Sequence, residues 1–431
     1  MKTRRLSCWS AKRIEGFAQL RTTHCLFLQP TPQRNEEEIT DNHYSYRLNM
    51  QFQPLLSAAF TALLVITSCT YTDTEWQRVG ETQTPVYSPV TPFFVKGIDL
   101  SFTPEIATTN TTYRQNGIAL PILDLVKSNG INTVRLRLWH TPNSGHSNLP
   151  EVLAFARQLK VKGLRLWLDI HYSDTWTDPG QQAKPTAWQN TTGTALQDSV
   201  FNYTQRVMLA LQAQKTLPYI VQIGNETNSG FLWNDGKVGG TFDTNWANYA
   251  ALVNRGIAAV RTIDPNKNIK IMLHYANPNT ANWFFQRVQQ QAIDYDIIGV
   301  SYYPFWHGND LATMQTSIAN LAQTYQKPVI IAETAYPFTL QWNDWTNNVV
   351  GNASQVTATY PATPEGQRKF VADVRLKLAA LGTQKAQGLC YWAGDWVAFR
   401  GTQATNGSTW ENLALFNFGN DALPSLVELG R

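Results

Sequence analysis

From residue 93 onward, short runs of apolar and β-branched residues alternate with helix-length amphipathic segments, and the alternation repeats eight times. The strand-like runs are FFVKGID (93–99), NTVRLRLW (132–139), LRLWLDIH (164–171), PYIVQIGN (218–225), IKIMLHY (269–275), DIIGVSYY (296–303), PVIIAE (328–333) and GLCYW (388–392). Between them lie stretches such as EVLAFARQLKVKG and GQRKFVADVRLKLAALG, with Gly130, Gly163 and Gly382 where helix C-caps are expected. A strand that returns through a helix runs parallel to its predecessor, so the pattern requires a parallel sheet with covered faces. Eight such units predict closure: an α/β fold of the (β/α)8 TIM-barrel kind with long βα loops, one domain over residues 93–431. No glycine-rich phosphate loop follows the first run, which removes the expectation of a nucleotide cofactor.

The preceding residues read as delivery. Residues 1–49 show no sustained periodicity and contain the acidic run Glu36 to Glu38, so they are expected to be unstructured or to precede a true start at Met50. Within the expected signal peptide, residues 50–68, the run PLLSAAFTALLVITS is uncharged and apolar. It is too short for a bilayer core of roughly 30 Å and suits a signal-peptide core. Ile66-Thr67-Ser68-Cys69 resembles a bacterial lipobox, in which the cysteine is diacylated and becomes the mature N-terminus; Arg47 supplies the usual positive flank only if translation starts upstream of Met50. Residues 69–92 are rich in Thr and Pro (TPVYSPVTP), as an extended tether would be. The expectation is a bacterial cell-surface or outer-membrane lipoprotein, otherwise a secreted protein; Thr70 is not the Asp associated with inner-membrane retention.

Residues 1–50 hold eight Lys/Arg and five Asp/Glu, and the rest of the chain 27 and 26. A near-neutral domain gives no electrostatic reason to expect nucleic acid, which leaves a substrate and, through Cys69, a membrane as partners of an expected monomer. Of the four cysteines only Cys390 falls in the domain, so a disulfide framework is excluded there, and no Cys/His spacing suggests zinc. Fifteen Trp and seventeen Tyr suit the apolar faces of sugars as well as a core.

In a barrel of this type the reacting groups sit at the carboxyl ends of the strands. Here those ends carry Asp99, Arg137, Trp139, His171, Asn225, Glu226, His274, Tyr275, Tyr302, Tyr303, Glu333 and Trp392. Hydrolysis of a glycosidic bond with retention needs two carboxyls roughly 5 to 5.5 Å apart, one donating a proton and one attacking the anomeric carbon. Glu226 after the fourth run and Glu333 at the end of the seventh can face each other across the mouth. A glutamate ending VIIAE is costly to bury without a cation, so Arg135 or Arg137 is expected beside it. That contact keeps Glu333 ionised, and its negative charge raises the pKa of Glu226. Asn225 is placed to bond a sugar 2-hydroxyl. Singly, each glutamate reads as a helix N-terminal residue and His171 and His274 as structural; the pairing on one barrel carries the chemistry.

The segments KGIDLSFTPEI, NTVRLRLWH, LDIHYSDTWTDPGQQAKPTAW, VQIGNETNSGFLW, IIGVSYYPFWHG, IIAETAYPF and YWAGDW with LFNFGNDALPSL occur in order from Phe93 to the C-terminus. Together they resemble glycoside hydrolase family 53, the endo-β-1,4-galactanases. The resemblance implies a retaining barrel hydrolase acting inside the galactan or arabinogalactan chains of plant pectin, with Glu226 as acid/base and Glu333 as nucleophile and no cofactor. By motif it implies that Asp99, Arg135, His171, Asn225, Tyr302 and Trp392 line the cleft, and that Trp139, Trp176, Trp233, Trp306 and Trp396 are candidates for stacking on galactose. Arg137, His274 and Tyr303 are candidates by strand-end position. Some bacterial members carry a calcium loop after strand seven reading roughly Asp-x-Asp-x-His-x-Asn; here the positions read Trp342, Asp344, Thr346 and Asn348, so that site is expected to be empty or altered. The same long segment, through Pro361, is expected to reshape the cleft. Two other functions compete: a related β-mannanase or β-glucanase, and a surface lipoprotein that binds glycan without cutting it. HYSDTWTDPG and SYYPFW favour the galactanase pattern over the first, and the paired glutamates argue against the second.

Overall fold

The structure, a computed structural model, describes residues 94–431. The expected start region, the signal peptide, Cys69 and the tether lie outside the described residues. Eight parallel strands close into a barrel: β1 (Val95–Asp99), β2 (Thr133–Leu138), β3 (Arg165–Ile170), β4 (Ile220–Ile223), β5 (Lys270–Ala276), β6 (Ile297–Ser301), β7 (Val329–Thr334) and β8 (Ala386–Tyr391). Each strand pairs with its neighbours in sequence, and β8 returns to β1 through Gly97 opposite Cys390. The eight runs expected from sequence coincide with these strands to within two residues at either end.

A helix follows each strand: α1 (Ile122–Ser128), α2 (Leu149–Val161), α3 (Gly193–Ala213), α4 (Trp246–Ile263), α5 (Ala281–Gln290), α6 (Leu311–Tyr325), α7 (Pro364–Leu381) and α8 (Pro424–Leu429). Their starts are written in side chains. Asn148 Oδ1 accepts the Glu151 N–H at the head of α2, Asp310 accepts from Ala312 and Thr313 at α6, and Thr363 from Gly366 at α7, satisfying donors that an α-helix leaves free. Their ends follow the expected glycines. Past α1 and α2, Gly130 and Gly163 adopt φ of 90° and 63°, and the next residue's N–H reaches back to Val126 and Leu159 respectively, closing the turn so that the chain drops directly into the next strand. None of the helices among the described residues is long and apolar enough to cross a membrane.

Two apolar layers result. Between strands and helices lies the large core, to which α4, for example, contributes Leu252, Val253, Ile257 and Val260, each fully burying side chain giving about 1.5 to 3 kcal/mol. Inside the barrel a separate cluster of Val95, Trp167, Ile220, Met272, Ile297, Ile330, Ala332 and Cys390 forms the floor, with every strand but β2 contributing. Above that floor the inward positions become polar: Asp99, Arg135, Asp169, Gln222 and His274, all buried. At the opposite end from the mouth, the start and finish of the domain meet, with Lys96 Nζ donating to the carbonyl of Gly430 at 2.8 Å.

Candidate active site

β2 projects Arg135 into the centre of the polar layer, where it is 1% exposed. Its Nη1 meets Asp99 Oδ2 at 2.9 Å, and its Nη2 meets Asp169 Oδ2 at 2.8 Å, Glu333 Oε1 at 2.9 Å and Asn225 Oδ1 at 2.9 Å. Burial alone would lower its pKa, but the carboxylates of Asp169, Glu333 and Asp99 more than reverse this. Of the two arginines expected beside Glu333, Arg135 is the one in contact with it. The other Glu333 oxygen, Oε2, accepts the Tyr303 hydroxyl at 3.0 Å.

Glu226 follows β4 with a φ of 43° and remains partly exposed at the mouth. Its Oε1 accepts from Ser301 Oγ at 2.5 Å, and its backbone N–H points at His274 Nδ1, 3.3 Å away. Burial raises both carboxyls above the usual range, with the Ser301 bond opposing at Glu226, and with Arg135 opposing and Glu226 adding repulsion at Glu333. Two carboxyls that repel one another and both hold protons too tightly keep one proton between them near neutrality. The donors decide where it sits. Glu333 accepts on both oxygens, one from a cation, whereas Glu226 accepts on one. The arrangement therefore favours a carboxylate at Glu333 and a carboxylic acid at Glu226.

The remaining polar residues brace this pair. His171 Nε2 contacts Asp169 Oδ2 at 2.9 Å and its Nδ1 contacts Thr177 Oγ1 at 2.9 Å; Asn225 Nδ2 donates to the Thr177 carbonyl at 2.8 Å. Alongside lies an aromatic wall. The Arg137 guanidinium sits 4.2 to 4.6 Å from the ring centres of Trp176, Phe102 and Trp139, Trp396 stacks on Phe102 at 3.8 Å, and Trp392 meets Trp410 edge-on at 4.7 Å. Trp306 packs on Tyr303 at 5.3 Å and is 57% exposed, while Trp233 lies in the β4–α4 loop with its Nε1 donating to Ser229 O.

Residues 95–429 match the family model described as Glycosyl hydrolase family 53. The chain belongs to this family. It is therefore a glycoside hydrolase. It is 39% identical over 346 residues to the arabinogalactan endo-beta-1,4-galactanase of Cellvibrio japonicus, covering 78% of this chain and 90% of that one. Among solved structures, it resembles the family 53 catalytic domain of Ignisphaera aggregans with a TM-score of 0.73 at 36% identity, covering 79% of this chain and 97% of that one. A fungal beta-1,4-galactanase structure aligns with a TM-score of 0.67 at 32% identity, over 78% of this chain and 98% of that one.

Against the motifs of family 53, two candidates change place. Tyr302, expected to line the cleft, is fully buried in the shell outside the barrel, its hydroxyl donating to Gly308 O at 2.7 Å; side chains alternate, so Ser301 and Tyr303 take the mouth instead. Trp139 is buried too, and supports Arg137 and Trp176 rather than offering a ring face. Sequence reasoning missed Asp169, Gln222 and Ser301. A period-two reading of LRLWLDIH would have found Asp169, on the same face as His171; nothing local marks Ser301.

The loop after β7 does not fit the family's calcium pattern. Asp344 accepts from the Thr346 and Ser408 amides, and Glu411 Oε1 from Asn343 and Asp344. Of the side-chain oxygens around this loop, Glu411 Oε2, Asn348 Oδ1 and Asn412 Oδ1 have no donor among the described residues, whereas calcium takes six to eight oxygens. Among the described residues no group of three or more His, Cys, Asp or Glu is placed to hold a metal.

Proposed function

We propose that this enzyme hydrolyses internal β-1,4-galactosidic bonds of galactan and arabinogalactan with retention of anomeric configuration. Glu333 is the nucleophile and Glu226 the acid/base. The observation that carries this is the unequal solvation of the pair: two donors, Arg135 and Tyr303, on Glu333, and one, Ser301, on Glu226. In the first step Glu333 attacks the anomeric carbon while Glu226 protonates the departing oxygen; in the second Glu226, now a carboxylate, takes a proton from water that hydrolyses the glycosyl ester. Asn225, whose Nδ2 keeps a second hydrogen beyond its bond to Thr177, is placed to hold a sugar hydroxyl. Trp176, Trp392, Trp396, Trp306 and Trp233 supply ring faces or edges for galactose units. The relatives named as galactanases support this substrate over mannan or glucan.

The test is product analysis on linear β-1,4-galactan. The wild type should release short oligosaccharides whose first-formed anomer, read by proton NMR, is β. Glu333→Gln and Glu226→Gln should each lose at least about a thousandfold in galactan cleavage. An α first product would overturn retention, equal rates on mannan the substrate, and no reducing ends from the wild type the enzymatic reading, leaving glycan binding. The delivery signals of residues 50–92 support an enzyme tethered through acylated Cys69, acting on pectic side chains at a bacterial surface. Incorporation of labelled fatty acid, absent from Cys69→Ala, checks that part separately.

A further inference from the structure

We infer that Ser301, held by His274, is a positioning residue that dictates which oxygen of Glu226 carries the transferable proton. This rests on the acid/base assignment of Glu226 above and extends it to two residues that do not touch the reacting bond.

Hydrogen-bond direction can be followed atom by atom. Gln222 Oε1 accepts from Arg135 Nε at 3.3 Å, which turns its amide nitrogen toward His274 Nδ1, 3.0 Å away. The Glu226 backbone N–H addresses the same Nδ1. Both are donors; the third neighbour of Nδ1, Asn225 Oδ1 at 3.0 Å, already accepts from Arg135 Nη2 and Gln222 Nε2 on its two lone pairs, so Nδ1 accepts and the ring proton lies on Nε2. His274 is fully buried, and burial with the nearby Arg135 charge pushes its pKa well below the usual histidine range, so the ring is neutral. Nε2–H then donates to Ser301 Oγ across 2.9 Å. With that lone pair engaged, the Ser301 proton goes to its other neighbour, Glu226 Oε1 at 2.5 Å. The chain runs one way, and Oε1 is fixed as an acceptor. Oε2 takes no hydrogen bond from the described residues and is where the acid proton resides.

Strand geometry makes the contact. A register shift between Val300 and Ser301 brings Ser301 opposite Glu333 on β7, while on the other side it pairs with Ala276 of β5, two residues after His274. The charged or titratable groups facing Glu226 are Arg135, Asp169, Asp178, His274, Tyr303 and Glu333. Those facing His274 include Arg135, Asp169 and His171. Of the groups around Glu226, Ser301 alone donates to its carboxyl.

The experiment compares the full-length wild type, Ser301→Ala and Ser301→Thr by kcat and KM across pH. The two substrates are linear β-1,4-galactan and a 2,4-dinitrophenyl β-galactobioside, whose leaving group needs no acid. Ser301→Ala should lose about ten- to a hundredfold in kcat on galactan with little change in KM, and much less on the activated substrate. Its alkaline limb should move up by about one pH unit, because a bond favouring the carboxylate form is gone, and Ser301→Thr should restore both. An equal loss on the two substrates, or an unmoved limb, overturns the proposal. Nitrogen NMR of wild-type His274 should show a neutral Nε2–H ring from pH 5 to 8; titration in that range, or an Nδ1–H tautomer, overturns it whether or not the serine variants fold. Glu226→Gln serves as the reference. If it still cleaves galactan, the acid/base assignment itself fails; if it does not and Ser301→Ala behaves as wild type, only the positioning role falls.

Discussion

Arg135 and Arg137 stand two residues apart on β2, both buried, and their surroundings are opposites. Arg135 is ringed by Asp99, Asp169 and Glu333. Arg137 is boxed by Phe102, Trp139 and Trp176, its guanidinium has Ser147 as its one hydrogen-bond partner among the described residues, and Nη1 has none. Burial disfavours charge on both. Around Arg135 the carboxylates over-compensate, whereas Arg137 falls to about 10 despite attraction from Asp99 and Asp395. Aromatic faces return about 0.5 to 2 kcal/mol, less than the several kcal/mol that desolvating a cation costs. One arginine is an electrostatic keystone for carboxyl groups, and the other is a flat spacer that orders a ring-lined wall.

The comparison breaks most readily at Arg135. Arg135→Met strands three buried carboxyls without their cation, and we expect about 3 to 5 kcal/mol lower stability in urea unfolding, with galactan cleavage down by more than about a thousandfold. Near wild-type stability would mean that Arg135 does not hold the ring together. Arg137→Met keeps the stem between the rings and removes only the charge. Because the lost ring and Ser147 contacts are offset by the desolvation cost that goes with the charge, it should cost at most about 1 kcal/mol in the same assay and less than about tenfold in kcat; a loss matching that of Arg135→Met would erase the distinction. The smallest effect concerns Glu226, which has no guanidinium of its own. Its carboxyl ionises above the ordinary 4.5 when folded, raised by burial, so the folded state keeps a proton that the unfolded chain has released. The associated stability is complete below about 4.5 and is lost as pH rises through the raised folded value. Thermal unfolding of Glu226→Gln should therefore improve relative to wild type between pH 5 and pH 8, by about 1 kcal/mol.

The alternation of strand and helix was legible because burial on both faces forces long apolar runs, and all eight strands follow from it. What the runs do not reveal is which of two identical side chains meets a given partner. Arg135 and Arg137 share a face in TVRLRL, and only the pairing of Asp99 with Arg135 across β1 and β2 decides between them. Tyr302 and Tyr303 look alike as neighbours, yet strand alternation allows one of them at the mouth, and Tyr303 takes it. Glu226 and Glu333 stood out as glutamates at strand ends. Ser301 did not, since a serine ending an apolar run reads as the start of a loop; its partners come from β4 and β5, far away in the chain. Asp169 shares the inward face of His171 and was legible by alternation, but its pairing was not, since its partner Arg135 lies on another strand.

Because Lys96 and Gly430 are joined beneath the barrel, both ends of the described domain emerge on the side away from the opening. Attachment there, whether by an affinity tag, a bead or an acyl chain, leaves the opening unobstructed, so the immobilised protein should work a polymer as long as the one it meets in solution. Joining the old ends and cutting a helix-to-strand connection on that same underside offers a rearranged chain with the opening intact.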